Sequence, residues 1–246
     1  PFESSLPDNM YFRLQDIIKR DSKENPFKGS RLRNEIIVNI FNDTGIRCGA
    51  AAKLKISDVK MDWDNPHLMI TRTPDDPTDN RKKQANQKTK SHAAPISVET
   101  MKLIELYITT TRKQFDKAED HDFLFISEKG KTEGGPLSMK AIANMLEQLS
   151  KVLEFKIHPH LLRHKFNEML ERKARAKGYK SEEIEDLRVY GNGWVEGSEM
   201  SQVYNKKNLA DKTRELSSMR QSDLIDYEKT LIKTTPNTTE NDNEKT

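Results

Sequence analysis

Apolar side chains recur every three or four residues along most of this chain, and one polar segment interrupts the pattern. Such spacing places the apolar residues on one face of an amphipathic helix. Between residues 66 and 97 the pattern changes to two short apolar stretches, 67–71 and 93–96, around an insert rich in Pro, Asp, Arg and Lys. Short stretches of this kind, bounded by turn-forming residues, are typical of strands. The sequence therefore predicts a mainly α-helical fold with a small antiparallel β-sheet.

Start and stop signals divide the helical part of the chain. Asp8 is expected to cap a first helix, and Asn25-Pro26 ends the pattern because a residue before proline is biased away from helical geometry. Thr44-Gly45 is expected to stop the second helix. Residues 123–126 fit either a strand or a buried extended segment. The predicted helices cover residues 11–18, 31–43, 47–54, 98–115, 138–153, 160–177, 181–190 and 198–206, with a further candidate at 208–219.

Charge divides the chain into a basic body and an acidic tail. Charged residues reach 33% and hydrophobic residues only 34%, against roughly 25% and 45–50% for an average globular domain when glycine is counted as apolar. Residues 221–246 hold six acids and three bases, a net charge of −3. The whole chain has a net charge of +3, so residues 1–220 carry +6. We expect one domain over residues 1–220. The tail, 221–246, is expected to be disordered because it cannot bury enough apolar surface.

Several classes of protein are excluded by what the sequence contains. No apolar run approaches the ~18 residues of a membrane span, and the start of the chain does not resemble a signal peptide. A cytoplasmic protein is therefore expected. The single cysteine, Cys48, excludes an internal disulfide and a four-cysteine metal site. His158, His160 and His164 lack a neighbouring Glu or Cys ligand, so no metal is expected there.

His160 and Arg163 stand together at the start of the predicted helix 160–177. Three residues separate them, so their side chains are about 60° apart in azimuth and ~4.5 Å apart along the axis. The helix N-terminus adds partial positive charge and free N–H groups. An imidazole, a guanidinium and a helix end form a receptor for phosphate. His164, which directly follows Arg163, is also expected to contact DNA. The alternative is a solvated basic face with a structural histidine.

Two other basic features precede this helix. Arg47 follows the helix-ending Gly45 and opens a short helix, which predicts either a functional arginine or simply an exposed one. The insert between the two predicted strands has no acid from residue 80 to 98, and its five bases within ten residues form either a DNA-contacting patch or a solvated loop. The bases of this patch are Arg81, Lys82, Lys83, Lys88 and Lys90.

The order of these pieces carries more information than any one of them. Gly193-Trp194 is followed ten residues later by Tyr204. The complete order is T-G-I-R ending at residue 47, K-T-K at 88–90 before a stretch ending in P-I at 95–96, H-L-L-R-H at 160–164, G-W at 193–194 and a tyrosine at 204. This arrangement resembles the tyrosine recombinases of the phage integrase family over about residues 5–215. The resemblance implies the catalytic-domain fold of that family, and residues 73–89 further resemble the long sheet region of some bacterial integrases.

The resemblance also implies a role for each matched residue. Tyr204 matches the nucleophile, and Arg47 and Arg163 match the two arginines that bind the phosphate. His160 matches the histidine of H-x-x-R, and Lys88 matches the hairpin lysine that would protonate the leaving oxygen. No cofactor, metal or ATP is implied by this set.

Two departures from the family pattern bear on activity. Members usually have Glu or Asp three residues after the first arginine, and this chain has Ala50. Trp194 stands where most members place a second histidine, and its spacing of ten residues to Tyr204 is one more than the commonest spacing. The family also usually clamps DNA with a separate N-terminal helical domain. That domain is expected to be absent here, because almost nothing precedes the first predicted helix.

The implied function is that of a site-specific DNA recombinase or integrase that cuts and rejoins strands through a 3′-phosphotyrosyl intermediate. Its expected partners are double-stranded DNA and further copies of itself, as a tetramer on DNA and a monomer when free, in the cytoplasm with the nucleoid. Residues 208–220 are expected to mediate assembly, with a helix folded back on its own domain as the alternative. The competing functions are a catalytically silent DNA-binding relative, a type IB topoisomerase-like enzyme and an unrelated helical interaction protein.

Overall fold

A computed structural model describes residues 6–71, 76–81, 84, 91–192, 209 and 211–216. It shows a helical body around a small sheet. Predictions that concern residues 198–206 or the tail 221–246 lie outside the described residues. The helices are α1 (Asp8–Ile18), α2 (Arg31–Thr44), α3 (Cys48–Lys53), α4 (Val98–Leu106), α5 (Met139–Leu153), α6 (Pro159–Ala176) and α7 (Ser181–Asn192). The strands are β1 (Val59–Lys60), β2 (His67–Ile70) and β3 (His92–Pro95). The predicted fold class, mainly α with a small antiparallel sheet, is confirmed.

The first helix, α1, forms where its apolar spacing predicts, but its start differs from the prediction. It buries Tyr11, Leu14, Ile17 and Ile18 on one face. Pro7 holds the cap position and no side chain caps the helix, so the prediction that Asp8 is the cap is wrong. The carboxylate of Asp8 instead contacts Lys165 at 2.5 Å, because a buried ammonium is a stronger partner than a backbone N–H.

The second helix, α2, ends at the predicted glycine. Gly45 adopts a left-handed conformation with φ 59°, and its N–H donates to the carbonyl of Phe41 at 2.9 Å. A glycine tolerates this conformation because it lacks a Cβ. The chain can therefore turn sharply into Ile46 and Arg47, and Arg47 becomes the residue that precedes α3.

The sheet has three antiparallel strands in the order β1-β2-β3. Val59 pairs with Leu68, and Leu68 pairs with Ala94, so these buried residues share the face that covers the helices. β2 and β3 confirm the two predicted extended stretches. The two-residue strand β1 is an addition, since so short a stretch carries no alternation to read.

Residues 123–126 take the second of their two predicted conformations. All four side chains are buried. Isolated bridges pair Lys55 with Phe123 and Ile126 with Pro136, so the segment is extended and buried without being part of the sheet. The predicted helix 98–115 is also longer than α4 alone, because α4 continues through a π turn at Tyr107–Thr111 and a 3-10 turn at Arg112–Gln114.

Two apolar clusters form the core. The larger cluster contains residues from the helices α1 through α5, from the sheet and from the first turn of α6. The smaller one packs the rest of α6 against α7 and a short helical segment at residues 211–216, which contributes Leu216. Its members are Phe166, Leu170, Ala174, Ile184, Leu187 and Leu216.

The segment 209–216 is held on its own domain by polar contacts as well. Lys173 Nζ donates to the Leu216 carbonyl at 3.1 Å, and Lys212 pairs with Glu183 at 2.8 Å. In residues 209 and 211–216 this arrangement agrees with the alternative, a helix folded back on its own domain. The expected role of residues 208–220 in assembly stays a prediction. In the described part of the chain, none of the helices combines the length and apolar character that a bilayer crossing requires.

Candidate active site

The start of α6 organises the candidate site. His158 is the cap residue, and its Nδ1 accepts the Leu161 N–H at 3.2 Å, while Pro159 occupies the first helical position. An accepting Nδ1 requires a lone pair, so the cap holds this nitrogen unprotonated. Burial, and after it the charges of Lys156 and His164, lower the pKa of His158 in the same direction. His158 is therefore the structural histidine of the trio, and the described residues contain no cluster of three metal-ligating side chains.

Arg163 projects from α6 toward the end of α2. Only 6% of it is exposed, and its Nη1 donates to the Gly45 carbonyl at 2.7 Å. Burial, and after it the positive charge of Arg47, lower the pKa of Arg163 to about 10. Two guanidinium groups thus meet in one partly buried place, which is costly unless an anion joins them.

Close packing between α2 and α6 makes this contact possible. A Cβ placed on Gly45 would lie 2.3 Å from the Phe166 ring, so only glycine lets the two helices approach this closely. The carbonyl of Gly45 thereby comes within reach of Arg163, one helical turn before Phe166. The T-G-I-R motif therefore supplies both the arginine and the acceptor that orients the second arginine.

Arg47 is half-buried, and its Nη1 is buried without a hydrogen-bond partner in the described residues. Its backbone is extended at the position before α3. Ala50, where the family usually has an acid, is buried in the larger core cluster and offers no carboxylate. A buried guanidinium N–H without a partner costs free energy, and an anionic ligand would satisfy it.

His160 completes the described part of the site. Its ring meets the His164 ring edge-on with centroids 4.5 Å apart. Burial is the largest cause of the lowered pKa of His160, followed by the charges of His164, His158, Arg163 and Arg47. Arg47 and Arg163 are therefore near enough to His160 to lower its pKa. Two guanidinium groups beside an imidazole of lowered pKa can contact the oxygens of a phosphate.

A sequence profile described as the phage integrase family matches residues 11–208. The chain belongs to this family. Transposase A from transposon Tn554 of Staphylococcus aureus is 28% identical over 133 residues, which cover 54% of this chain and 34% of the transposase. Tyrosine recombinase XerC of Lacticaseibacillus casei is 25% identical over 166 residues, which cover 65% of this chain and 48% of XerC. This phage integrase family member therefore spans about a third to a half of the length of these relatives.

Solved structures show the same fold at low sequence identity. The XerH site-specific recombinase bound to a difH substrate has a TM-score of 0.57 at 16% identity, covering 90% of this chain and 52% of XerH. The Tn1549 transposon integrase in complex with transposon right end DNA has a TM-score of 0.53 at 18% identity, covering 82% of this chain and 60% of that structure. The predicted catalytic-domain fold of the phage integrase family is confirmed.

The remaining predicted site residues divide into two groups. Six of them lie outside the described residues: Lys82, Lys83, Lys88, Lys90, Trp194 and Tyr204. Arg81 is described. Its guanidinium forms a two-point ion pair with Asp79 and donates to two backbone carbonyls, and 9% of its side chain is exposed. Its contact with DNA stays a prediction.

The structure adds residues that the sequence reasoning missed. Gly45 orients Arg163, and His158 caps the helix that carries it. A usable signal existed for the cap, because a polar side chain directly before a proline is typical of a helix start. No local signal pointed to the Gly45 carbonyl, since its partner is 118 residues away.

Proposed function

We propose that this chain carries the catalytic centre of a site-specific tyrosine recombinase that cuts and rejoins double-stranded DNA. The observation that carries the proposal is the meeting of Arg47, Arg163 and His160, with the buried Nη1 of Arg47 lacking a partner within the described residues. These are the residues that the T-G-I-R and H-L-L-R-H motifs supply in the family order. The similarity to a transposase, that of Tn554, and to the tyrosine recombinase XerC supports the same reaction class.

The reaction needs a nucleophile, charge stabilisation and an acid for the leaving oxygen. The Tyr204 hydroxyl attacks a DNA phosphorus, and its proton leaves as the O–P bond forms. The bond from phosphorus to the 5′-oxygen breaks, which gives a 3′-phosphotyrosyl link and a free 5′-hydroxyl. Lys88 supplies the proton to that oxygen. The reverse step, with a 5′-hydroxyl of a partner strand as nucleophile, rejoins the DNA without ATP.

The other residues stabilise charge or position the reacting groups. Arg47 and Arg163 contact the non-bridging oxygens through paired N–H donors, a geometry that lysine cannot reproduce. His160, with its lowered pKa, accepts a proton more readily near neutral pH than a charged imidazolium would, and we assign it the proton movement at Tyr204. Trp194 has one N–H donor and no acceptor, so it contacts the phosphate or packs but exchanges no proton.

The partners of the reaction belong to the same proposal. The XerH structure holds a difH substrate and the Tn1549 integrase structure holds transposon right end DNA, which supports double-stranded DNA as the partner here. We propose a tetramer on DNA and a monomer in its absence, in the cytoplasm with the nucleoid. The catalytic domain in this proposal covers residues 1–220, and the acidic segment 221–246 lies outside the described residues.

The deciding experiment traps the covalent intermediate on a nicked suicide DNA substrate. Tyr204→Phe removes only a hydroxyl, so it should abolish the covalent adduct while DNA binding stays within about twofold. Tyr190→Phe is the matched control, because its hydroxyl donates to the Ala93 carbonyl and lies outside the proposed chemistry; its adduct should persist.

A covalent adduct that survives Tyr204→Phe would overturn the assignment of the nucleophile. A wild-type protein that binds DNA without forming any adduct would instead identify a catalytically silent relative, the alternative favoured by Ala50. Relaxation of supercoiled DNA without strand exchange between two sites would identify a type IB topoisomerase-like activity.

A further inference from the structure

The described part of the β2–β3 connection is a docked unit and not a loose loop. β2 ends at Ile70 and β3 begins at His92, so 21 residues join the two strands. Residues 76–81 and Gln84 lie within this connection and make dense polar contacts with the body of the domain. The connection also carries Lys88, the residue proposed to protonate the leaving oxygen.

Asp76 makes the first attachment. Its carboxylate pairs with Lys55 at 2.8 Å and accepts both the backbone N–H and the hydroxyl of Thr78, at 2.9 and 2.7 Å. Lys55 Nζ also donates to the Thr78 hydroxyl at 3.1 Å. Because Asp76 is 5% exposed, the pair with Lys55 is shielded from solvent and salt. One end of the unit is therefore fixed beside β1.

Arg81 makes the second and stronger attachment. Its Nε and Nη2 donate to the two carboxylate oxygens of Asp79, at 2.7 and 2.6 Å, and its Nη1 donates to the carbonyls of Ala52 and Leu137, at 2.8 and 2.7 Å. The guanidinium also stacks 4.8 Å from the Phe123 ring centre. A planar guanidinium whose Nε, Nη1 and Nη2 all donate hydrogen bonds is held in one orientation. A lysine ammonium could not be fixed in this way.

Gln84 extends the docked unit toward Lys88. Its side-chain amide donates to the carbonyls of Asp76 and Asp79, at 3.2 and 3.1 Å. The attachment therefore reaches to within four residues of Lys88, and at most about 14 Å of extended chain separates the two positions.

The place of attachment connects the unit to the active site. Ala52 belongs to α3, and Arg47 is the residue that opens α3. The same six-residue helix thus carries one phosphate-binding arginine and accepts the hydrogen bond that docks the connection. Of the 21 residues between the two strands, residues 85–91 separate the last docked residue, Gln84, from β3. A shorter free segment has fewer conformations, so an acid within it spends more time near the reacting oxygen.

We propose that Arg81, held by Asp79, is a positioning residue that sets the place of Lys88 relative to Arg47. This inference rests on the proposed function, because it requires Lys88 to be the acid. It differs from the DNA-contact role that the sequence predicted for Arg81. A DNA contact would act on binding, whereas a positioning residue acts on the one step that needs the acid.

The test compares two suicide substrates, one with the ordinary 5′-oxygen and one with a 5′-bridging sulfur at the scissile phosphate. Sulfur leaves without protonation, so loss of the acid slows only the oxygen substrate. Arg81→Ala should slow cleavage of the oxygen substrate about 10²-fold, the loss typical of a misplacement of about 1 Å, and the sulfur substrate less than about threefold. Lys88→Ala should show the same selectivity, and the double variant should be no slower than Lys88→Ala alone because both residues act on one step.

Arg112→Ala is the matched control. Arg112 is a buried arginine whose guanidinium donates to the backbone carbonyls of Ala118, His121 and Phe123. It shares the neighbour Phe123 with Arg81, but within the described residues it makes no hydrogen bond or ion pair with the β2–β3 connection. Its loss should slow both substrates equally. If Arg81→Ala does not fold, Gln84→Ala removes only the last attachment and should slow the oxygen substrate about threefold more than the sulfur substrate.

The outcomes separate the two proposals. Equal slowing of both substrates by Arg81→Ala and by Gln84→Ala, with selective slowing by Lys88→Ala, would overturn the positioning role and leave the proposed function intact. Equal slowing by Lys88→Ala would overturn the acid assignment, and the positioning role with it. Weaker DNA binding by Arg81→Ala with an unchanged ratio of the two rates would return Arg81 to the DNA-contact role.

Discussion

Two buried cations stand two residues apart on α6, and their surroundings are opposite. Lys165 is 1% exposed and contacts two carboxylates, Asp8 at 2.5 Å and Glu168 at 2.9 Å. Its ammonium also lies 5.7 Å from the Tyr11 ring centre. Arg163 is 6% exposed, donates to the Gly45 carbonyl, and has Arg47 as the neighbouring charge that lowers its pKa.

The difference shows how one helix uses buried charge for two purposes. Around Lys165 the charges are balanced within the protein, and Arg172 extends the network by contacting Asp8 at 3.0 Å and Glu168 at 3.4 Å. This network fastens α6 to the start of α1. Around Arg163 the neighbouring charge has the same sign, so the balance improves when an anion arrives. One face of α6 thus contributes to stability, and the other carries the residues to which we assign phosphate binding.

The largest effect is expected from Arg163→Ala, and it should fall on catalysis. Loss of a donor that stabilises charge on the reacting phosphate typically slows the chemical step by about 10² to 10³-fold. The free energy of unfolding should fall by less than in the lysine variant below, because removing a guanidinium beside Arg47 relieves repulsion and offsets part of the lost hydrogen bond to Gly45. Cleavage rates on the suicide substrate and urea unfolding measure the two quantities. A loss of stability as large as that of the lysine variant below would end the contrast between the two cations.

The second effect concerns Lys165→Met and should fall on stability. Breaking a buried ion pair costs about 3 to 5 kcal/mol, and we expect about 3 kcal/mol because Asp8 and Glu168 are 24% and 34% exposed. The cleavage rate per folded molecule should change less than about threefold. Arg175→Met, which breaks only the exposed pair with Glu171, is the control and should cost less than about 0.5 kcal/mol. A catalytic defect in folded Lys165→Met would show that the stabilising face also serves the reaction.

The smallest effect is a pKa shift that reports the field on the phosphate-binding face. Burial and then His164 are the largest causes that lower the pKa of His160, so His164→Gln should raise it toward its ordinary value. Inorganic phosphate should raise it further by adding negative charge. NMR titration of the histidine side chains measures both changes. An unchanged pKa of His160 in both experiments would show that this face carries no excess of positive potential.

The same shift has a consequence for stability, whose sign follows from linkage. The unfolded chain binds a proton at His160 at higher pH than the folded protein does, because the folded pKa is the lower one. The contribution of His160 to stability is therefore complete above about pH 6.5, and it decreases as the pH falls below that value.

Local patterns predicted the helices, and the resemblance to the family assigned Arg47, His160 and Arg163 to one site, because periodicity and the order of motifs can be read from a single sequence. They failed where the partner is distant along the chain. Asp8 looked like a cap, since nothing nearby reveals Lys165, which lies 157 residues further on. Arg81 looked like part of an exposed basic run, although Asp79 stands two residues earlier, because its burial depends on Phe123 and Leu137. Short-range signals therefore did not reveal the distant partners of these two charges.

The contact between Gly45 and Phe166 restricts which single amino-acid substitutions residue 45 tolerates. Alanine there would need a left-handed backbone, which costs about 1 to 2 kcal/mol, and would also drive its Cβ into the Phe166 ring. Making room first by Phe166→Ala would remove a ring from the smaller core cluster, at about 3 to 5 kcal/mol. Both orders of the double change pass through an impaired protein. A library that varies one position at a time should therefore recover only glycine at residue 45. Gly45 and Phe166 would then change only together, and the contact that orients Arg163 depends on both.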